Sequence, residues 1–397
     1  MKILYINNKL FGGGAQNVFR LSYLEMKKIF SIYMATTEES EEIKADVKLE
    51  NSNSNLKKIL FNYKNYKLIN NFIKNNEIDV VHLHNYISEL SPSILLALKK
   101  NKNKIKILQT LHQFDFVCPN SSLSNMKKGI ICEKCIGKNI KWNILKERCS
   151  YKGRKYDIAK FLISLEKYFF GVDKIIDYYI VPSDFSKTKM LEEGIKAEKI
   201  KVLKNFVDDK FWIEENNYNK KNNIVYFGRF SKEKNVILLL KSIEILKNKY
   251  SDIHLFIIGN GLEYENYIAN IQKYKLQEYI TVINEFLSSE KVKEILNKVK
   301  ISVLPSKWYE TFGLTIVESI FANVIPIATN IGAMKETIEY SCGYTFENNN
   351  VQDLVNKIDY VLKNYGMEIK KLLEKKEKIR KNYSLDRYIK ELKEIKV

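Results

Sequence analysis

Short runs rich in β-branched and aromatic residues alternate with helical segments along the whole chain, and this alternation restricts the fold more than any other feature. Lys2–Ile6 reads as a strand. After Gly12-Gly13-Gly14, the stretch Ala15–Phe30 sets Val18, Leu21, Leu24 and Ile29 at helical spacing. Further strands are expected at Ile32–Ala35, Val80–Leu83, Ile105–Leu111, Tyr178–Val181 and Ile200–Leu203, with helices such as Tyr66–Asn75, Ser93–Lys100 and Phe185–Glu193 between them. The second half repeats the theme. Its strands are Ile224–Phe227, Leu255–Ile258, Ile280–Ile283, Ile301–Leu304 and Val324–Ala328. Its helices are Val236–Lys247, Tyr264–Tyr274, Val292–Lys298 and Leu314–Phe321, and the chain is helical from Val351 onward. Such an order implies parallel sheets covered by helices on both faces. The strands are too many for one doubly wound sheet, so two α/β domains in series are expected. The polar stretch Glu214–Asn223 marks the boundary, with the hinge as early as Asn205.

Composition excludes several classes. With 45% hydrophobic and 28% charged residues over 397 positions, the chain is neither disordered nor of low complexity. No run approaches the roughly 20 apolar residues of a membrane helix, and the first apolar run is too short for a signal peptide, so a cytoplasmic location is expected. The net charge of +19 has three readings. A lysine- and asparagine-rich composition ranks first, attraction to an anionic membrane surface second, and nucleic acid a distant third, because the lysines are dispersed. In every case the field favours anionic substrates.

Three loops carry the chemistry. Gly12-Gly13-Gly14 joins a strand to a helix and allows close backbone approach to a ligand, although it lacks the spacing of a dinucleotide fingerprint. Gly228-Arg229-Phe230-Ser231-Lys232-Glu233-Lys234 follows a strand and brings Arg229 and Lys234 to one loop, where two cations suit a diphosphate. In Glu310–Glu318, Gly313 opens a helix whose Leu314 and Thr315 amides and dipole favour an anion. Were the whole span helical, Glu310 and Glu318 would lie about 12 Å apart along its axis. That exceeds the roughly 5–9.5 Å of glycosidase carboxyl pairs, so the two are expected to grip different hydroxyls of one extended ligand.

Together the E-x7-E spacing, the G-R-x4-K loop and the amino-terminal glycine loop resemble family 4 glycosyltransferases of the GT-B fold, over nearly the whole chain. Val303-Leu304-Pro305-Ser306, Val181-Pro182-Ser183, Ile258-Gly259-Asn260-Gly261 and Gly332-Ala333-Met334-Lys335-Glu336 add matches in order. The resemblance implies two Rossmann-like domains facing across a cleft, an acceptor-side domain at 1–205 and a donor domain at 206–380. It also implies a terminal helix, 381–397, packed back on the first. Arg229, Lys234 and the Leu314 and Thr315 amides beside Gly313 would hold the donor diphosphate. Glu318 would hold the ribose, Glu310 would sit near the transferred sugar, and His112 would be the active-site histidine. Gly13 and Gly14 would line the cleft. The reaction implied is sugar transfer with retained configuration, from a UDP- or GDP-sugar to a glycan or lipid-linked acceptor, without a catalytic metal. Alternatives are an epimerase or phosphorylase of the same fold, or a non-catalytic binding protein. The chain departs from the family at Asn205-Phe206, where Asn-Gly is common, at Asn235, where glycine is common, at Gln113 after the histidine, and at Gly332-Ala333.

Four of the five cysteines, Cys118, Cys132, Cys135 and Cys149, form the pattern C-x13-C-x2-C-x13-C within an insertion at 118–149. Structural zinc bound by four thiolates ranks first, ahead of free thiols and an iron–sulfur cluster. Cys342 reads as a small core residue. His82 and His84 share one face of a strand, where core packing and a cleft-edge role for His84 are expected.

Overall fold

A computed structural model describes residues 1–397 apart from 53, 54, 88, 215–219 and 397. Of the polar stretch Glu214–Asn223, residues 215–219 therefore lie outside the described residues. The chain divides into two compact units. One comprises Met1–Lys128, Cys132–Lys204 and Tyr388–Val397, the other Gly129–Ile131 and Asn205–Arg387. Among the described residues, no helix is long and apolar enough to cross a membrane.

The first unit is built on a seven-stranded sheet. Its strands are β1 (Lys2–Ile6), β2 (Ser31–Thr36), β3 (Val47–Lys48), β4 (Val80–Leu83), β5 (Lys106–Thr110), β6 (Tyr178–Val181) and β7 (Ile200–Val202). They run in the order β3-β2-β1-β4-β5-β6-β7, every pair parallel. Parallel pairing needs crossover helices. These include α1 (Gly14–Lys27), α2 (Tyr63–Asn76), α3 (Ser93–Asn101), α4 (Arg154–Phe170) and α5 (Asp184–Glu192). Because helices cover the sheet, Ile3, Leu4, Tyr5 and Ile6 of β1 are fully buried.

The second unit carries six parallel strands: β8 (Asn223–Phe227), β9 (His254–Ile258), β10 (Ile280–Ile283), β11 (Ile301–Leu304), β12 (Ile325–Thr329) and β13 (Tyr344–Phe346). Their order is β10-β9-β8-β11-β12-β13. Its helices are α6 (Val236–Leu246), α7 (Tyr264–Lys273), α8 (Ser289–Leu296), α9 (Leu314–Phe321), α10 (Gly332–Tyr340), α11 (Val351–Lys363) and α12 (Tyr365–Asn382). The last helix, α13 (Leu385–Lys396), crosses the division. Thus the chain consists of two Rossmann-like α/β sheets in series. The edge strands β3 and β13 and the helix α4 were not anticipated. The helix expected at Val292–Lys298 begins earlier, at Ser289, because the Ser288 side chain caps it.

In each sheet the order reverses once, between β1 and β4 and between β8 and β11. Such switch points open crevices at the carboxyl ends of the strands. In the second unit the loop after β8, at the edge of this crevice, is locked to the loop after β9 by backbone hydrogen bonds. The Gly228 amide donates to the Ile258 carbonyl at 2.9 Å and the Phe230 amide to the Asn260 carbonyl at 2.7 Å. A Cβ on Gly259 would stand 1.9 Å from the Gly228 carbonyl oxygen, and Gly259 has φ +141°. Glycine is therefore required there for two reasons, close approach and backbone conformation. Gly259→Ala is expected to lose about 2–4 kcal/mol of stability by strain and overpacking. Gly366→Ala, in α12 with nothing within 4 Å, is expected to be neutral or stabilising. Urea unfolding of both variants checks this, and equal midpoints would sink it.

Candidate functional site at the strand carboxyl ends

After β8, the loop Gly228–Lys234 turns over the switch point and ends at Asn235, which has φ +53°. An asparagine tolerates this left-handed conformation better than other non-glycine residues. That accounts for the departure from the family glycine at this position without a change of backbone. Arg229 is exposed and pairs loosely with Glu233 at 3.4 Å. Lys234 is half-buried and makes a 2.5 Å ion pair with Glu310, and the Ser306 hydroxyl donates to the same Glu310 oxygen at 2.8 Å. The Lys307 amide donates to the Glu233 carbonyl at 2.9 Å, fastening the loop after β8 to the loop after β11. Burial alone would raise the Glu310 pKa. The charge and hydrogen bond of Lys234, the Ser306 hydroxyl and the more distant Arg229 outweigh it, and the pKa falls below the usual carboxylate value.

Glu310 is not helical. Helix α9 begins only at Leu314, so the separation expected from a continuous helix does not apply. Gly313 precedes it with φ +94° and ψ +54°, and no side chain caps the helix. The Leu314 and Thr315 amides thus begin a helix that presents its positive dipole end at the carboxyl edge of the sheet. Thr337 steadies the approach by donating to the Phe312 carbonyl at 2.7 Å.

Glu318 lies one turn further along α9, half-buried. Burial and the neighbouring charge of Asp208 push its pKa up to about 7. The two carboxylates Glu310 and Glu318 therefore have opposite surroundings, one beside a lysine and one beside an aspartate. Asp208 was missed in the sequence because the contact joins residues 110 positions apart.

In the first unit, Gly13 precedes α1, and its amide donates to the Gln16 side chain at 3.1 Å. Gly13 and Gly14 are both exposed. His112 lies two residues past β5 and is buried, and burial lowers its pKa to about 4, so the ring is neutral at pH 7. His84, just past β4, reaches it: His84 Nδ1 and His112 Nε2 are 2.9 Å apart. His254 pairs with Thr281 at 2.9 Å on the second sheet.

Cys118, Cys135 and Cys149 are buried and Cys132 partly so. The cysteines act on one another electrostatically, which places them in one neighbourhood, and burial raises the thiol pKa values of Cys118, Cys135 and Cys149. Backbone amides of Asn120, Leu123 and Ser122 point at the Cys118 sulfur. Four thiols are the donor set that zinc takes. Among the described residues, no three His, Cys, Asp or Glu side chains already stand around one point as ligands. Cys342 is partly buried against the core of the second unit.

The two halves match two family models, Glycosyltransferase Family 4 over residues 31–211 and Glycosyl transferases group 1 over residues 208–384. A 42.6 kDa protein of the cps region of Klebsiella pneumoniae is 26% identical over 278 residues, 70% of this chain and 64% of that protein. The O-antigen biosynthesis glycosyltransferase WclY of Escherichia coli is 27% identical over 179 residues, 43% of this chain and 48% of the relative. The chain thus spans less than two thirds of the length of these curated relatives. Among solved structures, a glycosyltransferase from Rickettsia africae superposes with a TM-score of 0.71 at 22% identity, covering 99% of this chain and 97% of the other. Anabaena HepE in complex with UDP and glucose gives 0.69 at 13% identity, covering 100% and 99%. At such identities the likeness shows a shared fold, GT-B.

A carboxyl whose pKa is higher folded than unfolded stabilises the protein fully below the unfolded value of about 4.3, and that stability is lost as pH rises through the folded value. For Glu318 the loss falls between about pH 4 and about pH 7. Glu318→Gln is therefore expected to melt above the wild type at pH 8, with the advantage fading toward pH 4. Thermal melts across that range check it, and an advantage that does not change with pH would contradict the assignment.

Proposed function

On a GT-B fold whose two halves each match a glycosyltransferase family model, we propose that the chain transfers a sugar from a nucleoside-diphosphate donor to an acceptor hydroxyl with retention of configuration. The observation that carries this reading is the meeting, at the second switch point, of Arg229, Lys234 and the uncapped amino end of α9. All three favour negative charge, and a leaving diphosphate is where negative charge develops. The bond from the anomeric carbon to the phosphate oxygen breaks as the acceptor oxygen bonds to that carbon. The acceptor proton passes to the leaving phosphate oxygen, so no separate base is needed. Lys234 is held by Glu310 and would exchange part of that pairing for phosphate. Glu310 would meet the sugar and Glu318 the ribose, and His112 would be the active-site histidine. The cps-region and O-antigen relatives support a surface polysaccharide or its lipid-linked precursor as acceptor. HepE, solved with UDP and glucose, supports a UDP-sugar ahead of a GDP-sugar.

A melting panel with UDP, GDP, ADP and their monophosphates tests the donor site. A diphosphate at 100 times its Kd is expected to stabilise by about 2.7 kcal/mol. Its monophosphate should do less, and Arg229→Ala should abolish the shift. Glu310→Ala is expected to keep nucleotide affinity and lose turnover. Normal turnover in that variant would remove Glu310 from the sugar site, and silence with every nucleotide would favour a non-catalytic binding protein. Phosphorolysis or epimerisation without transfer would favour the other reactions of this fold.

The insertion at 118–149 is proposed to bind structural zinc, with Cys118, Cys132, Cys135 and Cys149 as ligands. What supports this is the shared neighbourhood of the thiols and the small size of the apolar cluster that Cys149 forms with Ile144 and Phe161. Short segments with so little core commonly depend on a staple. Metal analysis of the purified protein is expected to find one zinc per chain, lost in Cys132→Ser together with several degrees of melting temperature. Four thiols titrating freely in the native wild type, without zinc, would leave them as free cysteines.

A further inference from the structure

His82, His84 and His112 lie side by side at the carboxyl edge of the first sheet, because β4 and β5 are adjacent and in register, with His82 opposite Leu108. The His84 and His112 rings are nearly coplanar, with centroids 5.2 Å apart and planes 18° apart, and meet edge to edge through the 2.9 Å Nδ1 to Nε2 approach. The Tyr5 ring stacks on His84 at 5.8 Å and 17°, and Phe19 of α1 meets it edge-on at 4.7 Å. His82 is bound through Nε2 to the Thr110 hydroxyl at 2.7 Å and packs on His84 at 4.2 Å. The orientation of His84 is thus fixed from β1, α1 and β4.

A neutral imidazole has two tautomers, and a hydrogen bond to one nitrogen selects between them. Only one proton can lie between His84 Nδ1 and His112 Nε2. The two rings therefore choose their tautomers jointly: the nitrogen of His112 that faces away from His84 is a donor in one arrangement and an acceptor in the other. We propose that His84 is a positioning residue, whose Nδ1 holds His112 in a single tautomer and ring plane at the edge of the sheet. The importance of His112 for transfer rests on the functional reading above; the bond between the rings does not. If His84 served packing alone, an aromatic ring of similar size would replace it without consequence for His112.

Two variants separate bond from stack. His84→Phe keeps a ring against Tyr5 and Phe19 and removes the bond, whereas His84→Asn keeps a polar group where Nδ1 stood and removes the ring. Long-range proton–nitrogen correlation spectra of the full chain labelled at histidine report the tautomer of His112 directly. One tautomer is expected in the wild type, averaged nitrogen shifts in the Phe variant, and a single tautomer regained in the Asn variant. A His112 that stays in one tautomer in a folded Phe variant, or is averaged equally in both variants, overturns the proposal. Should the Phe variant not fold, His84→Gln repeats the test, since its amide reaches past the Nδ1 position. In a transfer assay the Phe variant is expected to lose about 10- to 100-fold in kcat with an unchanged donor KM. Full turnover beside an averaged His112 would remove His112 from the reaction and leave the pairing of the rings intact, so the two readings fail separately.

Discussion

Every strand of the two large sheets runs parallel to its neighbours, and the rest of the structure depends on that constraint. Parallel strands deliver their following loops to one edge. Residues far apart in the chain thereby reach the same rim without any special device. His84 and His112 follow adjacent strands, as do the loops ending in Lys234 and Glu310. What each unit adds is local: a break in strand order, which separates two neighbouring loops enough to leave a crevice, and glycines that let the flanking backbone close in. Gly259 and Gly261 are such glycines. A Cβ on Gly261 would stand 2.3 Å from the Phe230 carbonyl oxygen, so the loop carrying Arg229 and Lys234 rests directly on main chain.

Electrostatics at the second switch point follow from the same geometry. A half-buried lysine beside a half-buried glutamate is weak evidence of stability, because desolvation offsets much of the attraction. Its consequence is placement. Lys234 is held at the mouth of α9 by Glu310, itself fixed by the Ser306 hydroxyl, rather than left to sample solvent. An incoming anion then meets a cation whose side-chain entropy has already been reduced. Arg229, with its side chain 69% exposed and a loose partner, is the exposed counterpart.

Local patterns were readable from the sequence wherever one segment supplied them. Lys2–Ile6, Val80–Leu83, Tyr178–Val181, Ile280–Ile283, Ile301–Leu304 and Leu314–Phe321 stand where periodicity and flanking glycines placed them. Legibility ended where an element is too short or a contact too distant. Val47–Lys48 has two residues and Tyr344–Phe346 three, too few for any periodicity to register. Arg154–Phe170 mixes charged and apolar residues around the helix, so no single stripe marks it. The pairing of Lys234 with Glu310 and the approach of Asp208 to Glu318 depend on which strands are neighbours, a property of topology and not of spacing. Asn235 shows the reverse. A departure from the family pattern that looked like a possible loss proves to be an equivalent solution, since the backbone still takes the left-handed turn.

The basic excess also changes meaning once the structure is known. Dispersed lysines in a lysine-rich chain read as solvated filler, yet several are interior donors. The Lys220 ammonium donates to the Asn323 carbonyl at 3.0 Å, and that of Lys376 to the Ile213 carbonyl. Lys167 donates to the Asp115 carbonyl in the first unit. Burial lowers the pKa of each to about 8. Lys247 binds two successive carbonyls, of Tyr274 and Lys275, where α7 ends. Helix ends and loop turns leave carbonyls without intrahelical partners, and a long flexible ammonium can satisfy them from a neighbouring element. Part of the charge of +19 therefore serves the folding of each unit, where its partners are main-chain oxygens. A nucleic-acid surface would require those cations outside, on one face. At the second switch point the loop after β8 still carries Arg229 and Lys234 toward an anionic ligand.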